Sequence, residues 1–180
     1  MVAELTVRGL AQLDTPVQLE LDETTGLPVI SVGRKVTAAE VAEPDRRRPV
    51  STYLLDANVV IALVVQEHEH HERSAQWFAQ EVDTAHLCPI TEGALLRFLV
   101  RVGETSGVAA KILTGLHTHP KVAFCADALS YRDVDLTALR GHKQLTDAYL
   151  VALATAHDAR LATFDKALAA THSERVLLLG

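Results

Sequence analysis

Four acidic residues stand where predicted strands end or predicted helices begin. Asp56 and Asp165 each follow a short apolar strand, whereas Glu92 and Asp147 are each the first residue of a helix. Taken singly, each acid has an ordinary explanation, since turns favour Asp and the helix dipole favours an acid in the first turn. Four carboxylates in one pocket would repel each other, however, and Lys166 is the only basic residue close to them in these motifs. Bound cations would relieve that repulsion.

Carboxylate oxygens define the chemistry that such a pocket would support. Hard oxygen ligands on a rigid scaffold suit Mg²⁺ or Mn²⁺. Two such ions, about 3.5–4 Å apart, can activate a water molecule and stabilise the leaving oxygen of a phosphodiester. No separate nucleophilic side chain is required. The four acids therefore predict metal-dependent hydrolysis of a phosphodiester.

The elements that must position these acids come from residue 51 onward, where strand and helix patterns alternate. We predict strands over residues 52–55, 86–90, 122–125, 161–164 and 175–179. We predict helices over residues 58–65, 73–82, 92–103, 107–116, 133–139 and 147–158, with Thr91 and Thr146 as caps. The alternation is typical of a parallel sheet with helices on both faces.

The carboxyl ends of the strands form the ligand crevice in an open α/β sheet. Asp56, Glu92 and Asp165 are therefore expected to converge on one rim of the sheet. Asp147 joins them if its helix begins beside that rim. The predicted site is a single acidic pocket at the sheet edge.

The first 49 residues have a different character. They end in a charged stretch bracketed by prolines, residues 43–49, which is typical of a linker. Ahead of it, residues 17–21 and 27–32 are predicted to be extended, and Thr37 with Glu40 has the capping-box spacing for a short helix over 38–42. These pieces cannot bury a core of their own and must lie on another surface. We therefore divide the chain into an extended segment (1–43), a linker (44–50) and a folded domain (51–180).

Charge and composition limit the function. The net charge of −6 provides no general attraction for nucleic acid. The part of the chain from Val50 onward carries fifteen acidic and eleven basic residues, an excess of four that equals the number of acids assigned to the pocket. A nuclease with this balance depends on bound cations to reverse the sign of the charge at its site.

Other features of the sequence indicate an ordinary cytoplasmic protein. No apolar run reaches the roughly 18–20 residues of a membrane span, and we find no secretion signal. Cys88 and Cys125 lie in apolar stretches and are expected to be buried thiols. The histidines of residues 68–71 lack a second ligand group at zinc spacing, so we interpret them as the polar start of a solvated helix.

Three stretches of the chain together resemble the PIN-domain family, and in particular the VapC-type toxins of toxin–antitoxin pairs. They are Tyr53–Leu63, Pro89–Arg97, and Leu145–Ala154 followed by Leu161–Leu168. The resemblance covers essentially all of residues 51–180. It implies a PIN-like three-layer α/β/α fold with a mainly parallel five-stranded sheet, and an extended N-terminal segment packed on it.

The resemblance also assigns roles to individual residues. It implies that Asp56, Glu92, Asp147 and Asp165 are the catalytic, metal-binding acids, with Asn58 and Thr163 as supporting polar residues. The implied activity is Mg²⁺- or Mn²⁺-dependent endonucleolytic cleavage of RNA by a homodimer that binds neither membrane nor, directly, DNA.

The N-terminal segment resembles the toxin-binding tail of a VapB-type antitoxin. The similarity lies in Val7–Ala11 and Gly26–Val41. It implies that residues 1–43 supply a cognate antitoxin within the same chain. On this hypothesis Arg34 or Lys35 enters the acidic pocket and inhibits the nuclease. The alternative is that both side chains lie in a solvated turn.

Two other functions compete with the nuclease. A HAD-type phosphatase has an Asp-x-Asp motif at a strand end, and Leu54–Asn58 has that shape, but Asn58 replaces the second acid that serves as proton donor. A binding module that is permanently occluded by residues 1–49 would keep the fold without turnover. The intact set of four acids argues against a degenerate site.

Overall fold

A five-stranded parallel sheet forms the centre of the computed structural model, which describes residues 20–33, 35, 51–137, 139, 141–142 and 144–180. The strands are β3 (Thr52–Leu55), β4 (Thr84–Leu87), β5 (Val122–Phe124), β6 (Arg160–Thr163) and β7 (Val176–Leu178); β1 and β2 are two-residue strands, Glu20–Leu21 and Pro28–Val29, outside this sheet. The strand order is β5-β4-β3-β6-β7. All neighbouring pairs of strands are parallel.

Helices cover both faces of this sheet. The helices are α1 (Ala57–Val64), α2 (His71–Glu81), α3 (Pro89–Val102), α4 (Ser106–Thr118), α5 (Gln144–Ala156) and α6 (Lys166–Thr171). Tyr53 and Leu55 of β3 face a core shared with α1–α4. Leu54 faces a second core, which it shares with α5 and α6. Because successive strand residues point to opposite faces, the three buried residues Tyr53, Leu54 and Leu55 let β3 support both cores. The predicted three-layer α/β/α fold is confirmed.

Helices α3 and α5 each begin three residues before the predicted position. The fourth strand in the chain ends at Leu87, and Pro89, which lies within the predicted strand over residues 86–90, opens α3 instead. Proline suits the first helical position because the N–H that it lacks has no partner there. Thr91 is not the cap, although its hydroxyl bonds the backbone of Cys88 from within the first turn. Helix α5 similarly starts at Gln144, ahead of Thr146. Glu92 and Asp147 nevertheless lie in the first turns of their helices.

The helix predicted over residues 133–139 is wrong. A short 3-10 turn occupies Tyr131–Asp133, and the chain is extended at Val134. The Asp135 carboxylate accepts hydrogen bonds from both the N–H and the hydroxyl of Thr137. Such local bonds between side chain and backbone compete with helix formation. Helix α6, which follows Asp165, was not predicted.

The N-terminal segment packs on the domain as an antiparallel hairpin. Its strands are β1 (Glu20–Leu21) and β2 (Pro28–Val29). Leu27 and Val29 are 1% and 2% exposed. Ile30 forms a parallel bridge with Val65 at the end of α1. The predicted packing of an extended segment is thus confirmed for residues 20–33. The predicted helix over 38–42 and the linker lie outside the described residues.

A glycine in α4 permits this packing. A Cβ atom on Gly115 would lie 3.0 Å from Pro28 Cγ, a contact so tight that Pro28 would have to shift by a few tenths of an ångström. At the C-terminal end of the helix, four residues after Gly115, His119 Nε2 lies 2.9 Å from the Thr25 carbonyl oxygen. The hairpin therefore lies directly against the backbone of α4.

The histidines of residues 68–71 are buried, so their interpretation as a solvated helix start is wrong. His70 stacks on Phe164 with ring centroids 4.4 Å apart. His71 Nδ1 lies 2.8 Å from the Ala62 carbonyl oxygen, and its Nε2 lies 3.5 Å from Asp22 in the N-terminal hairpin. The hairpin covers a surface that the sequence of the domain alone would leave in water.

Among the described residues, no helix is long and apolar enough to cross a membrane.

We predict that Leu27→Ala lowers the free energy of unfolding by about 2–5 kcal/mol, because it leaves a cavity under the hairpin. Urea denaturation followed by circular dichroism measures this change. Leu21→Ala is the matched control, since Leu21 is 64% exposed in the same hairpin, and it should change the stability by less than about 0.5 kcal/mol. Equal stability of the two variants would contradict the packing of this segment.

Candidate active site

Two of the acids follow adjacent strands and cap the helices that come next. Asp56 follows β3, and its side chain accepts a hydrogen bond from the Ala57 N–H at the start of α1. Asp165 follows β6, and its Oδ1 accepts from the Leu168 N–H at 2.9 Å. Since β3 and β6 are neighbouring parallel strands, both carboxylates lie at the same edge of the sheet.

The hydroxyl of Thr163 connects the residues at this edge. Its Oγ1 donates to Asp56 Oδ2 at 2.7 Å. It accepts from Asn58 Nδ2 at 3.2 Å and from the Asp165 N–H at 3.1 Å. Thr163 is completely buried. These bonds fix the orientation of the Asp56 carboxylate and the start of the turn that carries Asp165.

Like charges and burial act together on the carboxylates. Burial raises the pKa of Asp56 and the charge of Asp165 adds to the effect, although hydrogen bonds from Thr163 and Ala57 oppose it. Burial also raises the pKa of Asp147, with further contributions from the charges of Asp56 and Asp165. Helix α5 therefore does begin beside the rim, and three of the four acids lie close enough to repel each other.

Glu92 has a different partner in this structure. Its Oε1 lies 2.8 Å from His117 Nε2, which comes from the last turn of α4. The two side chains are 17% and 32% exposed, so this is a partly buried ion pair when His117 is protonated. Glu92 stands in the first turn of α3, the helix that follows β4 at the same edge of the sheet.

The residues present fit divalent cations. The donors at the sheet edge are carboxylate oxygens, which Mg²⁺ and Mn²⁺ prefer. Asn58 Oδ1 is buried and has no hydrogen-bond partner among the described residues. Asp147 and Asp165 line one pocket together with Leu168 and His172. Burial and neighbouring carboxylates raise the pKa of Asp56 and Asp147, and a bound cation would offset this cost of ionisation.

The two basic residues assigned to inhibition are not placed in this pocket. Lys35 is exposed, and Arg34 lies outside the described residues. The chain that leads to them is held at Glu67, whose carboxylate accepts from the Val32 N–H at 3.0 Å and from the Ser31 hydroxyl. Contact of Arg34 or Lys35 with the acids stays a prediction.

Sequence reasoning missed His117 as the partner of Glu92. The two residues are 25 positions apart and lie on different helices, so no local spacing indicates the pair. The capping roles of Asp56 and Asp165 could have been read from their positions before apolar helical stretches.

Comparisons with known proteins agree with this architecture. Residues 53–173 match the PIN domain family. Ribonuclease VapC29 of Mycobacterium tuberculosis is 44% identical over 128 residues, which are 71% of this chain and 96% of that protein. Ribonuclease VapC44 of the same organism is 33% identical over 126 residues, 66% of this chain and 89% of that protein. The crystal structure of Mycobacterium tuberculosis VapC20, described as a Sarcin-Ricin loop cleaving toxin, superposes with a TM-score of 0.51 at 14% identity, covering 66% of this chain and 94% of that one; this likeness concerns the fold alone.

We predict that Asp147→Asn raises the melting temperature of the metal-free protein, because it removes one of three charges that repel each other. The expected gain is about 2–4 °C for each kcal/mol of repulsion that is relieved. Thermal unfolding in EDTA measures it. The same variant should lose most of the rise in melting temperature that Mg²⁺ or Mn²⁺ causes in the wild type, since a ligand is missing. Glu81→Gln, which neutralises an exposed acid at the end of α2, should leave both responses unchanged.

The pH dependence of this effect has a definite sign. A carboxyl whose pKa is raised in the folded state binds protons there more readily than in the unfolded chain. Its contribution to stability therefore falls as the pH rises from the ordinary value of 3.8 through the raised pKa. In EDTA, the stability advantage of Asp147→Asn should grow over this interval. If Asp147→Asn were less stable than the wild type at pH values above this interval, the carboxylates would not repel each other as described.

Proposed function

The chain belongs to the PIN-domain family, with ribonucleases of the VapC type among its relatives, and on that premise we propose that it is a metal-dependent endoribonuclease toxin of a toxin–antitoxin system. The observation that carries the proposal is the meeting of Asp56, Asp147 and Asp165 at one edge of the sheet. The substrate is RNA, and the cofactor is Mg²⁺ or Mn²⁺. The protein acts in the cytoplasm as a homodimer.

Each acid has a defined part in this proposal. Asp56, Asp147 and Asp165 would hold the cations, and Glu92, which contacts His117 in this structure, would be a further ligand. When bound, the cations supply an activated water molecule and neutralise charge on the scissile phosphate. Because the chain carries a net charge of −6, an RNA phosphate approaches this edge only after the carboxylates have been neutralised.

Thr163 and Asn58 act as positioning residues. Thr163 uses its single proton to hold Asp56 Oδ2, which leaves the other lone pairs of this carboxylate for the metal and the Ala57 N–H. Asn58 donates to Thr163 and thereby directs that proton towards Asp56. Asn58 occupies the place where a HAD-type phosphatase needs a second acid, and an amide that is held in this way cannot supply a proton to a leaving group.

We predict that Asp56→Asn abolishes RNA cleavage by the full chain in Mg²⁺ or Mn²⁺, and that EDTA abolishes cleavage by the wild type. Gel electrophoresis of a structured RNA panel measures both. Asp133→Asn, which changes an exposed acid outside the site, is the matched control and should cleave normally. Cleavage that survives both Asp56→Asn and EDTA would exclude this site as the source of activity.

Replacement of Thr163 tests the positioning role separately. Thr163→Val keeps the shape of the side chain but removes the hydrogen bond, and it should weaken metal affinity or activity by about 10–100-fold, as is typical of residues that orient a metal ligand. Thr163→Ser retains the hydroxyl and should retain most of the activity. Equal activity of the two variants would show that the bond to Asp56 does not matter for function.

The proposal extends to inhibition by the N-terminal segment. Residues 20–33 pack against α1 and α4, and Gly33, which directly precedes Arg34, is exposed on the surface of the same domain. A guanidinium or ammonium group that enters the pocket would relieve the repulsion of the acids as a cation does. Arg34 or Lys35 would thus compete with the metal, and residues 1–43 would act as an antitoxin in the same chain.

The inhibition is tested best in the full chain, because truncation would also remove the buried Leu27 and Val29. We predict that Arg34→Ala with Lys35→Ala raises RNA cleavage at limiting Mg²⁺ by about tenfold or more, equivalent to roughly 1.4 kcal/mol. Arg46→Ala with Arg47→Ala removes the same charge from the linker and is the matched control. Equal rates for the two double variants would overturn the inhibition. If the wild type and both double variants are all inactive, the result favours a permanently occluded binding module.

A further inference from the structure

A second group of metal-ligating side chains lies on the face of the sheet that α5 covers. It consists of His86 in β4, Cys125 directly after β5, and His157 directly after α5. Each residue offers one ligand atom, and these atoms all lie within 4.8 Å of one another. No local sequence spacing indicates this group, because its members are about 30–40 residues apart.

The topology explains how these residues meet. His86 pairs with Ala123 in the parallel register of β4 and β5. Cys125 follows Ala123 by two residues and therefore points to the same face as His86. Helix α5 packs on this face, and its last turn brings His157 over the two strands, with the His86 and His157 rings 5.9 Å apart.

The ordinary partners of such groups are missing here. His86 Nδ1 is buried and has no hydrogen-bond partner among the described residues. The Cys125 side chain is buried as a free thiol, and within the described part of the chain its one hydrogen-bond contact is a long one of 3.9 Å to the Ala126 carbonyl oxygen. A buried imidazole nitrogen without a partner is costly. A ligand at this place would satisfy both groups.

We propose that His86, Cys125 and His157 bind one Zn²⁺ ion, with water as the fourth ligand. Two imidazole nitrogens and a thiolate form a donor set that suits zinc and does not suit Mg²⁺. A tetrahedral zinc ion with bonds of about 2.0–2.3 Å holds its ligand atoms roughly 3.5 Å apart. His157 is exposed, so rotation of its side chain closes the remaining distance without disturbing the core.

The protonation states are compatible with this role. Burial and the neighbouring His157 hold the pKa of His86 below its usual value, so its imidazole is neutral and has a free lone pair. Burial raises the pKa of Cys125 to about 11, so the thiol is protonated without metal and must lose its proton to solvent when the sulfur binds zinc. The bound ion would tie β4, β5 and the end of α5 together.

This site is separate from the acidic edge, by which we mean the edge of the sheet that carries Asp56, Asp147 and Asp165. Asp147 and His157 are ten residues apart along α5 and its end, which corresponds to roughly 15 Å of helix. The inference therefore does not depend on the proposed nuclease activity.

The test uses the full chain with saturating Mg²⁺, so that the acidic edge does not take up zinc. We expect one Zn²⁺ to remain bound after dialysis, to raise the melting temperature, and to be replaceable by Co²⁺ with a thiolate-to-cobalt charge-transfer band. His157→Ala changes an exposed residue and should weaken Zn²⁺ binding at least tenfold without unfolding the protein. Cys125→Ser should remove the charge-transfer band.

Matched controls separate this site from its neighbours. Cys88→Ala removes the other buried thiol, His142→Ala removes another exposed histidine, and Asp147→Asn impairs the acidic edge; all three should keep the bound Zn²⁺ and the band. The proposal would be overturned if Mg²⁺ displaced the bound zinc, or if His157→Ala bound zinc as tightly as the wild type does. If Cys125→Ser fails to fold, the result for His157→Ala decides.

Discussion

Repulsion among carboxylates at one edge of a parallel sheet is the constraint on which this protein depends. Asp56, Asp147 and Asp165 are brought together by three separate segments of the chain, and burial together with mutual charge raises the pKa of Asp56 and Asp147. A folded protein keeps such an arrangement only where the rest of the structure is stable enough to hold it and where function benefits from it. Two apolar cores, one on each face of the sheet, provide that stability.

The parts of the fold that could be predicted are those dictated by burial. Strands β3 and β6 carry apolar residues on both of their faces because both faces are covered, and an acid follows each strand at the rim: Asp56 directly after β3, and Asp165 two residues after the end of β6. The bounds predicted for β3 agree with the structure, and Asp56 and Asp165 lie where the strand pattern placed them. For Asp147 the approximate start of α5 was sufficient, because a helix that packs across a sheet brings its first turn to the rim.

The parts that could not be predicted depend on contacts between distant segments. The burial of His71 requires Asp22 of the N-terminal hairpin. The pairing of Glu92 with His117 requires the packing of α3 against α4. The meeting of His86 with Cys125 requires the register of β4 and β5. A local pattern is also misleading at Pro89. This residue lies in the apolar stretch predicted as a strand over residues 86–90, but it opens a helix.

Crystals of the full chain grown with Mn²⁺ would test whether these carboxylates hold divalent cations between them. Anomalous scattering identifies manganese without reference to activity. We expect one or two anomalous peaks at the edge of the sheet, each bonded to oxygens of Asp56 and at least one of Asp147 and Asp165. Crystals in which these side chains face apart, with manganese elsewhere or absent from this edge at saturating concentration, would contradict it.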